Sequence, residues 1–193
     1  PGLHLIQVGQ LIERKRVAVT LDALAQLGAA AHLTVIGDGP LRGALDAQAR
    51  ALGIADRVDF AGHLPRATIL ERLRLHDVFV MTSVAEGMSN AMVEAMAAGL
   101  PIVSTTVGGI PEMVEPDGNG YLITPGDHVA LADALTALVG DAQRRECFGV
   151  RSRELVAQRF ELGLITRRLR RVYAAVARRP GVPEPVVCAR AQP

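Results

Sequence analysis

Short apolar strands alternate with helical segments along most of this 193-residue chain. Such alternation is typical of a parallel sheet, because the crossover between two parallel strands is usually a helix. The first predicted strand is Leu3–Val8, which ends at Gly9 and is followed by a helix over 16–28. The five further strands are predicted at 32–36, 57–60, 77–81, 101–104 and 121–123.

Helices occupy the intervals between these strands and the C-terminal part of the chain. They are predicted at 40–52, 65–75, 89–98, 127–139, 141–158 and 161–179. The pattern predicts an α/β fold, a doubly wound and Rossmann-like parallel sheet of six strands within three αβα layers. Such sheets bind ligands at the carboxyl ends of their strands, near the switch between the first strand and the fourth. The residues that follow Val8 and Met81 are therefore the first candidates for a site.

Composition excludes several classes of protein. The chain is 49% hydrophobic and 21% charged, as globular domains are, and no apolar run is long enough to span a membrane. Cys147 and Cys188 are too few for a disulfide framework or a cysteine zinc site, which favours a reducing, cytoplasmic location. Because the chain enters a strand directly after Pro1, we expect it to be a fragment of a longer protein.

Charge is unevenly distributed along the sequence. Residues 1–140 carry 9 basic and 15 acidic side chains, whereas 141–179 carry 11 arginines and 4 acids. A basic block suits nucleic acid or an anionic membrane, including the inner face of the cytoplasmic membrane. An aromatic content of 3% leaves little for base stacking, so we expect no nucleic-acid partner. A solvated helical face is the simpler interpretation.

The predicted helix at 161–179 is amphipathic. Three surfaces suit its apolar side: the chain's own domain, a second copy in a homodimer, or an anionic membrane. The last segment, 180–193, contains four prolines and is predicted to be a flexible tail. The apolar residues at helical spacing are Leu162, Ile165, Leu169, Val172, Tyr173 and Val176.

The loop after the fourth strand carries two carboxylates, Glu86 and Glu94. Gly87 allows close backbone approach to a ligand, and Ser89 or Asn90 can cap the following helix, whose N-terminus attracts phosphate. An ionised carboxylate accepts hydrogen bonds from a vicinal diol, so phosphate and diols together describe a nucleotide sugar. The alternative is that Glu86 is an ordinary turn residue and Glu94 an ordinary surface residue.

Three adjacent cations, Arg14, Lys15 and Arg16, are predicted to open the first helix. Cations at a helix N-terminus cost stability, so they either extend into solvent or serve an anion. Of the 21 basic residues 20 are arginine, which makes Lys15 the single lysine and favours a function for it.

With these motifs the chain resembles the C-terminal, donor-binding domain of retaining glycosyltransferases of family 4 (glycosyl transferases group 1), which have the GT-B fold. The resemblance runs in order from Leu3 to Phe160 and implies a nucleotide-sugar-binding, Rossmann-like domain over 1–160, followed by the helix at 161–179. The matching segments are VGQLIERK (8–15), VIGDGPLRGAL (35–45), RVDFAGHLP (57–65), SVAEGMSNAMVEAMAAGLPIVSTTVGGIPEMV (83–114) and DGNGYLITPGD (117–127).

The resemblance implies roles for named residues. Glu94 would bind the ribose hydroxyls, Glu86 the hydroxyls of the transferred sugar, and Lys15 the leaving diphosphate; Glu86 and Lys15 are the expected catalytic residues. Gly9 and Gln10 would lie beside the diphosphate, and Gln10 occupies the usual place of an arginine. The backbone of Gly87, Met88, Ser89, Asn90 and Ala91 would contact sugar and phosphate, and that of Gly62, His63 and Leu64 would contact the base.

The same resemblance implies a UDP sugar as donor, with a GDP or ADP sugar as alternatives, and neither cofactor nor metal. It also implies an N-terminal acceptor domain, without which this chain would be inactive.

Two other functions remain open at this point. One is a non-catalytic module that binds a nucleotide or sugar, which the loss of charge at Gln10 favours. The other is an NAD(P)-binding domain, because Gly37, Gly39 and Gly43 follow a strand and open a helix. Their spacing differs from the dinucleotide fingerprint, and the turn follows the second strand instead of the first.

Overall fold

The computed structural model describes residues 2–177. The predicted tail at 180–193 lies outside the described residues, as do the last two residues of the predicted terminal helix. The chain divides into two compact units, with the division between Val156 and Ala157. The domain boundaries at 160 and 179 stay predictions.

Within residues 2–177, six strands form one parallel sheet in the order β3-β2-β1-β4-β5-β6. This order confirms the predicted doubly wound fold, with β1 beside β4 at the switch point. In the register of that pair, Leu5 lies opposite Val78 and Ile6 opposite Phe79. The strands are Leu3–Val8 (β1), Ala31–Ile36 (β2), Val58–Gly62 (β3), Val78–Met81 (β4), Ile102–Thr105 (β5) and Gly120–Ile123 (β6).

Helices cover both faces of the sheet. Helix α1 contacts α2 and α5, and α4 contacts α3 and α6. The helices of the first unit are Val17–Gln26 (α1), Arg42–Ala51 (α2), Arg66–Leu73 (α3), Asn90–Ala98 (α4), His128–Val139 (α5) and Ala142–Leu155 (α6).

The core follows from the alternation of side chains along each strand. Leu5 and Val80 belong to the buried cluster that includes side chains of α1, α2 and α5. Their neighbours Ile6 and Phe79 point to the opposite face and are also fully buried. All residues of β4 and β5 are buried, as expected for central strands covered on both faces.

Most helices begin and end within two residues of their predicted bounds, but two differ in backbone geometry. The helix predicted at 141–158 is α-helical only to Leu155 and continues as a π-helical turn, Val156–Phe160, because apolar periodicity does not distinguish these hydrogen-bond patterns. The helix predicted at 16–28, with the three cations at its N-terminal end, begins at Val17. Glu13–Lys15 form a 3-10 turn, and Arg16 adopts left-handed backbone geometry with φ of 48°. No cation therefore lies inside the first turn of α1, and the predicted cost is not incurred.

The second unit contains a helix over Leu162–Ala177 (α7). Glu161 caps it, since its two carboxylate oxygens accept hydrogen bonds from the backbone N–H groups of Gly163 and Leu164, each at 3.0 Å. Self-association through residues 161–179 stays a prediction. None of the helices within residues 2–177 has the length and apolar character that a bilayer span requires.

Candidate functional site

The loop after β1 turns back toward β4. The backbone N–H of Val84 donates to the carbonyl of Arg14 at 2.9 Å, which ties this loop to the loop after β4. The left-handed Arg16 then redirects the chain into α1. As a result the Lys15 side chain extends into the space between the ends of β1 and β4, where the sequence predicted a site.

The loop after β4 ends at a capped helix. Ser89 is the N-cap of α4, and its side chain accepts a hydrogen bond from the backbone N–H of Met92 at 3.3 Å. This resolves the choice between Ser89 and Asn90 as the cap. The first N–H groups of α4 have no partner within the helix, so this end carries partial positive charge at the edge of the crevice.

Lys15 and Glu86 meet in this crevice. Lys15 Nζ lies 2.5 Å from Glu86 Oε1, across 71 residues of sequence. The two side chains are only 16% and 9% exposed, so the pair is largely shielded from solvent. The sequence placed both residues at the switch point but assigned them to different parts of a ligand, and it did not predict their direct contact.

The ion pair sets the charge of Glu86. Burial alone would raise the pKa of the Glu86 carboxyl, but the hydrogen bond from Lys15, with the charges of Lys15 and Arg14, outweighs burial and lowers that pKa below its ordinary value. The buried Ser83 hydroxyl acts in the same direction, although no hydrogen bond of normal geometry joins it to the carboxylate. Glu86 is therefore ionised at neutral pH and can accept hydrogen bonds.

Glu94 has a partner that the sequence analysis missed. Arg66 Nε lies 2.7 Å from Glu94 Oε1, and with Asn90 and Val93 these residues line an open depression of about 520 Å³. Arg66 is 78% exposed and Glu94 only 19%, so the arginine covers the carboxylate from the solvent side. Arg66 follows Pro65 at the start of α3, a position that the helix pattern marked but to which no chemistry was assigned.

A second depression brings together residues from three strand ends. It has a volume of about 310 Å³ and contains the predicted Gly9, Gln10, His63 and Leu64. Gly37 and Asp38 also line it, and the sequence analysis did not include them among the site residues. A Cβ at Gly37 would lie 1.9 Å from the carbonyl oxygen of Gly9, at a φ of +136°, so only glycine fits there.

The other residues predicted for the site are glycines that join neighbouring loops through backbone hydrogen bonds and residues at or near the start of α4. Gly62, at the end of β3, accepts a hydrogen bond from the N–H of Gly37 at 2.8 Å and thereby joins the loops around the second depression. Gly87 accepts one from Gly109 at 3.2 Å. Met88 is exposed and Ala91 lies in the first turn of α4.

The loop after β5 packs closely against the loop that contains Glu86. A Cβ at Gly108 would lie 1.6 Å from the carbonyl oxygen of Glu86, and Gly108 has a φ of +51°. The segment VGGIPE (107–112) lies within the longest of the matching segments, 83–114, and the sequence analysis gave it no role. In the structure it packs directly against the backbone of Glu86 and Gly87.

Across residues 2–177, histidine, cysteine, aspartate and glutamate side chains form no group of three or more suited to a metal ion.

Comparison with known proteins shows the family. Residues 2–141 match the family described as glycosyl transferases group 1. The chain belongs to that family. An N-acetyl-alpha-D-glucosaminyl L-malate synthase of Bacillus anthracis is 32% identical over 176 residues, which cover 90% of this chain and 46% of that protein. A lipopolysaccharide core biosynthesis glycosyltransferase of Rhizobium meliloti, LpsE, is 34% identical over 163 residues, covering 84% of this chain and 47% of that protein.

The fold of this family member is shared with solved structures. The crystal structure of Anabaena Alr3699/HepE in complex with UDP superposes with a TM-score of 0.84 at 29% identity, covering 90% of this chain and 49% of that one. The same protein is also known in complex with UDP-glucose. The chain thus spans about half the length of these relatives. Membership of the family leaves the NAD(P)-binding alternative without support.

Proposed function

We propose that this chain is the donor-binding half of a glycosyltransferase that transfers the sugar of a UDP sugar to an acceptor and retains the anomeric configuration. The observation that carries the proposal is the shielded contact between Lys15 and Glu86 in the crevice between β1 and β4. It sets a cation beside an ionised carboxylate next to a helix N-terminus. A sugar diphosphate presents the complementary groups, hydroxyls for the carboxylate and negative charge for the cation and the helix.

The ribose and the base of the donor have separate places in this proposal. The ribose hydroxyls would bind Glu94, whose carboxylate Arg66 already holds at 2.7 Å. The base would enter the depression lined by Gly9, His63 and Leu64. The structural relative HepE is known with UDP and with UDP-glucose, which favours uridine over the guanosine and adenosine alternatives.

In the proposed reaction, the bond between the anomeric carbon and the diphosphate oxygen breaks and a bond to the acceptor oxygen forms on the same face. The acceptor proton passes to the departing phosphate oxygen. Lys15 and the amides at the start of α4 would stabilise the charge that develops on the diphosphate, which is electrostatic catalysis by groups already in place. The acceptor site, and the remaining catalytic groups, would belong to the N-terminal part of the protein.

The second candidate function is a non-catalytic module that binds the nucleotide or its sugar. Gln10 favours it, because the side chain in the depression beside Gly9 carries no charge. Arg14 favours the catalytic function. Its guanidinium donates a hydrogen bond to the carbonyl of Ala85 at 3.4 Å and places positive charge beside Glu86, where it could replace the charge that Gln10 lacks. The test is to incubate the full-length protein with UDP-glucose and an acceptor and to measure the transfer of glucose, which only the catalytic function predicts. In the product, the coupling constant of the anomeric proton then shows whether the configuration is retained.

We expect UDP to raise the thermal midpoint of the chain and Glu94→Ala to remove most of that rise. At a ligand concentration of about 100 Kd, binding stabilises a protein by roughly 2.7 kcal/mol. Arg66→Ala is the matched control, because it breaks the same ion pair but leaves the carboxylate for the ribose. Glu71→Ala, at an exposed position of α3, controls for loss of a surface charge. Absence of any UDP response at millimolar concentration, or an equal response to NAD⁺, would contradict the proposal.

Gln10→Arg is expected to tighten UDP binding about fivefold. An added cation in a partly exposed cleft contributes about 1 kcal/mol toward a diphosphate. Isothermal titration with UDP and with uridine measures the effect, and uridine binding should not change. If UDP affinity also stays constant, Arg14 already supplies the second cation.

A further inference from the structure

A chain of buried polar side chains lies directly beneath the site. Gln7 is on β1, Thr20 is on α1, and Thr82 is the first residue after β4; all three are buried among apolar side chains. The Thr20 hydroxyl donates to Gln7 Oε1 at 2.8 Å, and Gln7 Nε2 donates to Thr82 Oγ1 at 3.2 Å. The three side chains therefore form one connected network.

The network ends on the backbone that carries Lys15. The Thr82 hydroxyl donates its single proton to the carbonyls of Lys15 and Arg16, at 3.1 and 2.9 Å. These hydrogen bonds lead from Thr20 through Gln7 and Thr82 to the loop after β1, and the hydroxyls of Thr20 and Thr82 also lie 3.2 Å apart.

The position of this network calls for an explanation beyond packing. Apolar side chains would fill the same interior without the desolvation cost of a buried amide and two hydroxyls. Arg16, whose carbonyl receives the last hydrogen bond, has a φ of 48°, and a non-glycine residue keeps such geometry only where its surroundings impose it. The network supplies that constraint at the residue next to Lys15.

We propose that Gln7, Thr20 and Thr82 are positioning residues that hold the backbone at Lys15 and Arg16, so that Lys15 stays in contact with Glu86 and in reach of the diphosphate. The proposal rests on the proposed function in one respect, the binding of a diphosphate by Lys15. The structural part of the proposal is that these three side chains fix the loop after β1, and this can be measured without any ligand.

The main test is Thr82→Val, which keeps the shape of the side chain and removes the hydroxyl. We expect UDP affinity to fall about tenfold and uridine affinity to change less than about twofold, because only the diphosphate reaches Lys15. Thr82→Ser restores the hydroxyl and should restore UDP affinity. Thr136→Val removes a hydroxyl that donates to the carbonyl of Ala132 within α5, far from the site in sequence, and should leave both affinities unchanged.

A ligand-free measurement keeps this inference separate from the proposed function. The Val84 amide donates to the carbonyl of Arg14, so its hydrogen exchange reports how firmly the two loops are held together. Thr82→Val should speed exchange at Val84 about tenfold relative to amides of the core strands, and Thr136→Val should not. If the parent chain binds no UDP, the proposed function fails, and the exchange of Val84 still decides the inference.

Thr20→Val provides a second variant in case Thr82→Val does not fold. It leaves Thr82 in place and removes only the first donor of the chain, so we expect changes in the same direction, about threefold in UDP affinity and in Val84 exchange. Equal losses for UDP and uridine, or unchanged exchange at Val84 in a folded variant, would overturn the proposal.

Discussion

Gly108→Ala should destabilise the chain by about 3 kcal/mol and abolish UDP binding. Alanine in left-handed backbone geometry costs about 1 kcal/mol or more, and Gly108 has a φ of +51°. In addition, the new Cβ would lie 1.6 Å from the carbonyl oxygen of Glu86, which is backbone and cannot rotate away. The loop that holds Glu86 must therefore shift. Denaturant unfolding measures the stability, and titration calorimetry measures UDP binding.

Gly43→Ala is the matched control for this substitution. Gly43 lies in α2, and a Cβ there would meet no atom within 4 Å. The same added methyl group should stabilise the chain by roughly 0.5 kcal/mol, because alanine favours a helix more than glycine does. Unchanged unfolding and UDP binding in Gly108→Ala would show that the loop after β5 yields easily and does not support Glu86.

The fold was predictable because its signals are local. Each strand of the sheet is a short apolar run that ends at a turn, and each helix has its own spacing of apolar residues. The alternation of the two then limits the topology to a doubly wound sheet with β1 beside β4, as observed. The same logic predicted the candidate site, and the loops after the carboxyl ends of those two strands bring Lys15 and Glu86 into contact.

The pairing of side chains within the site was not predictable from local pattern. Arg66 and Glu94 are 28 residues apart, and their contact depends on how α3 packs beside α4. Gln7, Thr20 and Thr82 lie in segments whose apolar neighbours define the strand or helix, so their hydroxyl and amide groups carried no signal. Arg16 was placed in a helix because apolar residues follow it at helical spacing, whereas the turn from the loop after β1 into α1 gives it left-handed geometry.

Lys15→Met should weaken the binding of UDP strongly and selectively, without distorting the loops around the site. A hydrogen bond from a charged donor contributes about 1.5–3 kcal/mol, so UDP affinity should fall between about tenfold and a hundredfold. Uridine lacks the diphosphate and should bind nearly as before. Methionine keeps the length and most of the volume of the lysine stem, so the loss reports charge more than packing. Titration calorimetry with both ligands measures the difference.

The same substitution should also lower the stability of the ligand-free chain, by about 2 kcal/mol at neutral pH. It leaves the Glu86 carboxylate, 9% exposed, without the ammonium that balances it. Lys15→Met/Glu86→Gln removes the unpaired charge, so it should recover most of the stability. It should not recover UDP affinity, because the cation is still missing.

The dependence on pH separates a lost charge partner from a general packing defect. In the parent chain the pKa of Glu86 is lowered, so its contribution to stability is present above the unfolded-state value and is lost as pH falls through the folded-state value. In Lys15→Met the ammonium that lowers the pKa of Glu86 is missing, so burial should raise that pKa above its ordinary value. Glu86 is then protonated as pH falls, which removes the unpaired buried charge that destabilises the variant. The stability difference between parent and variant should therefore be largest near pH 7 and narrow below about pH 5. A difference that stays constant across this range, measured by urea unfolding, would show that Lys15 contributes through packing instead of charge.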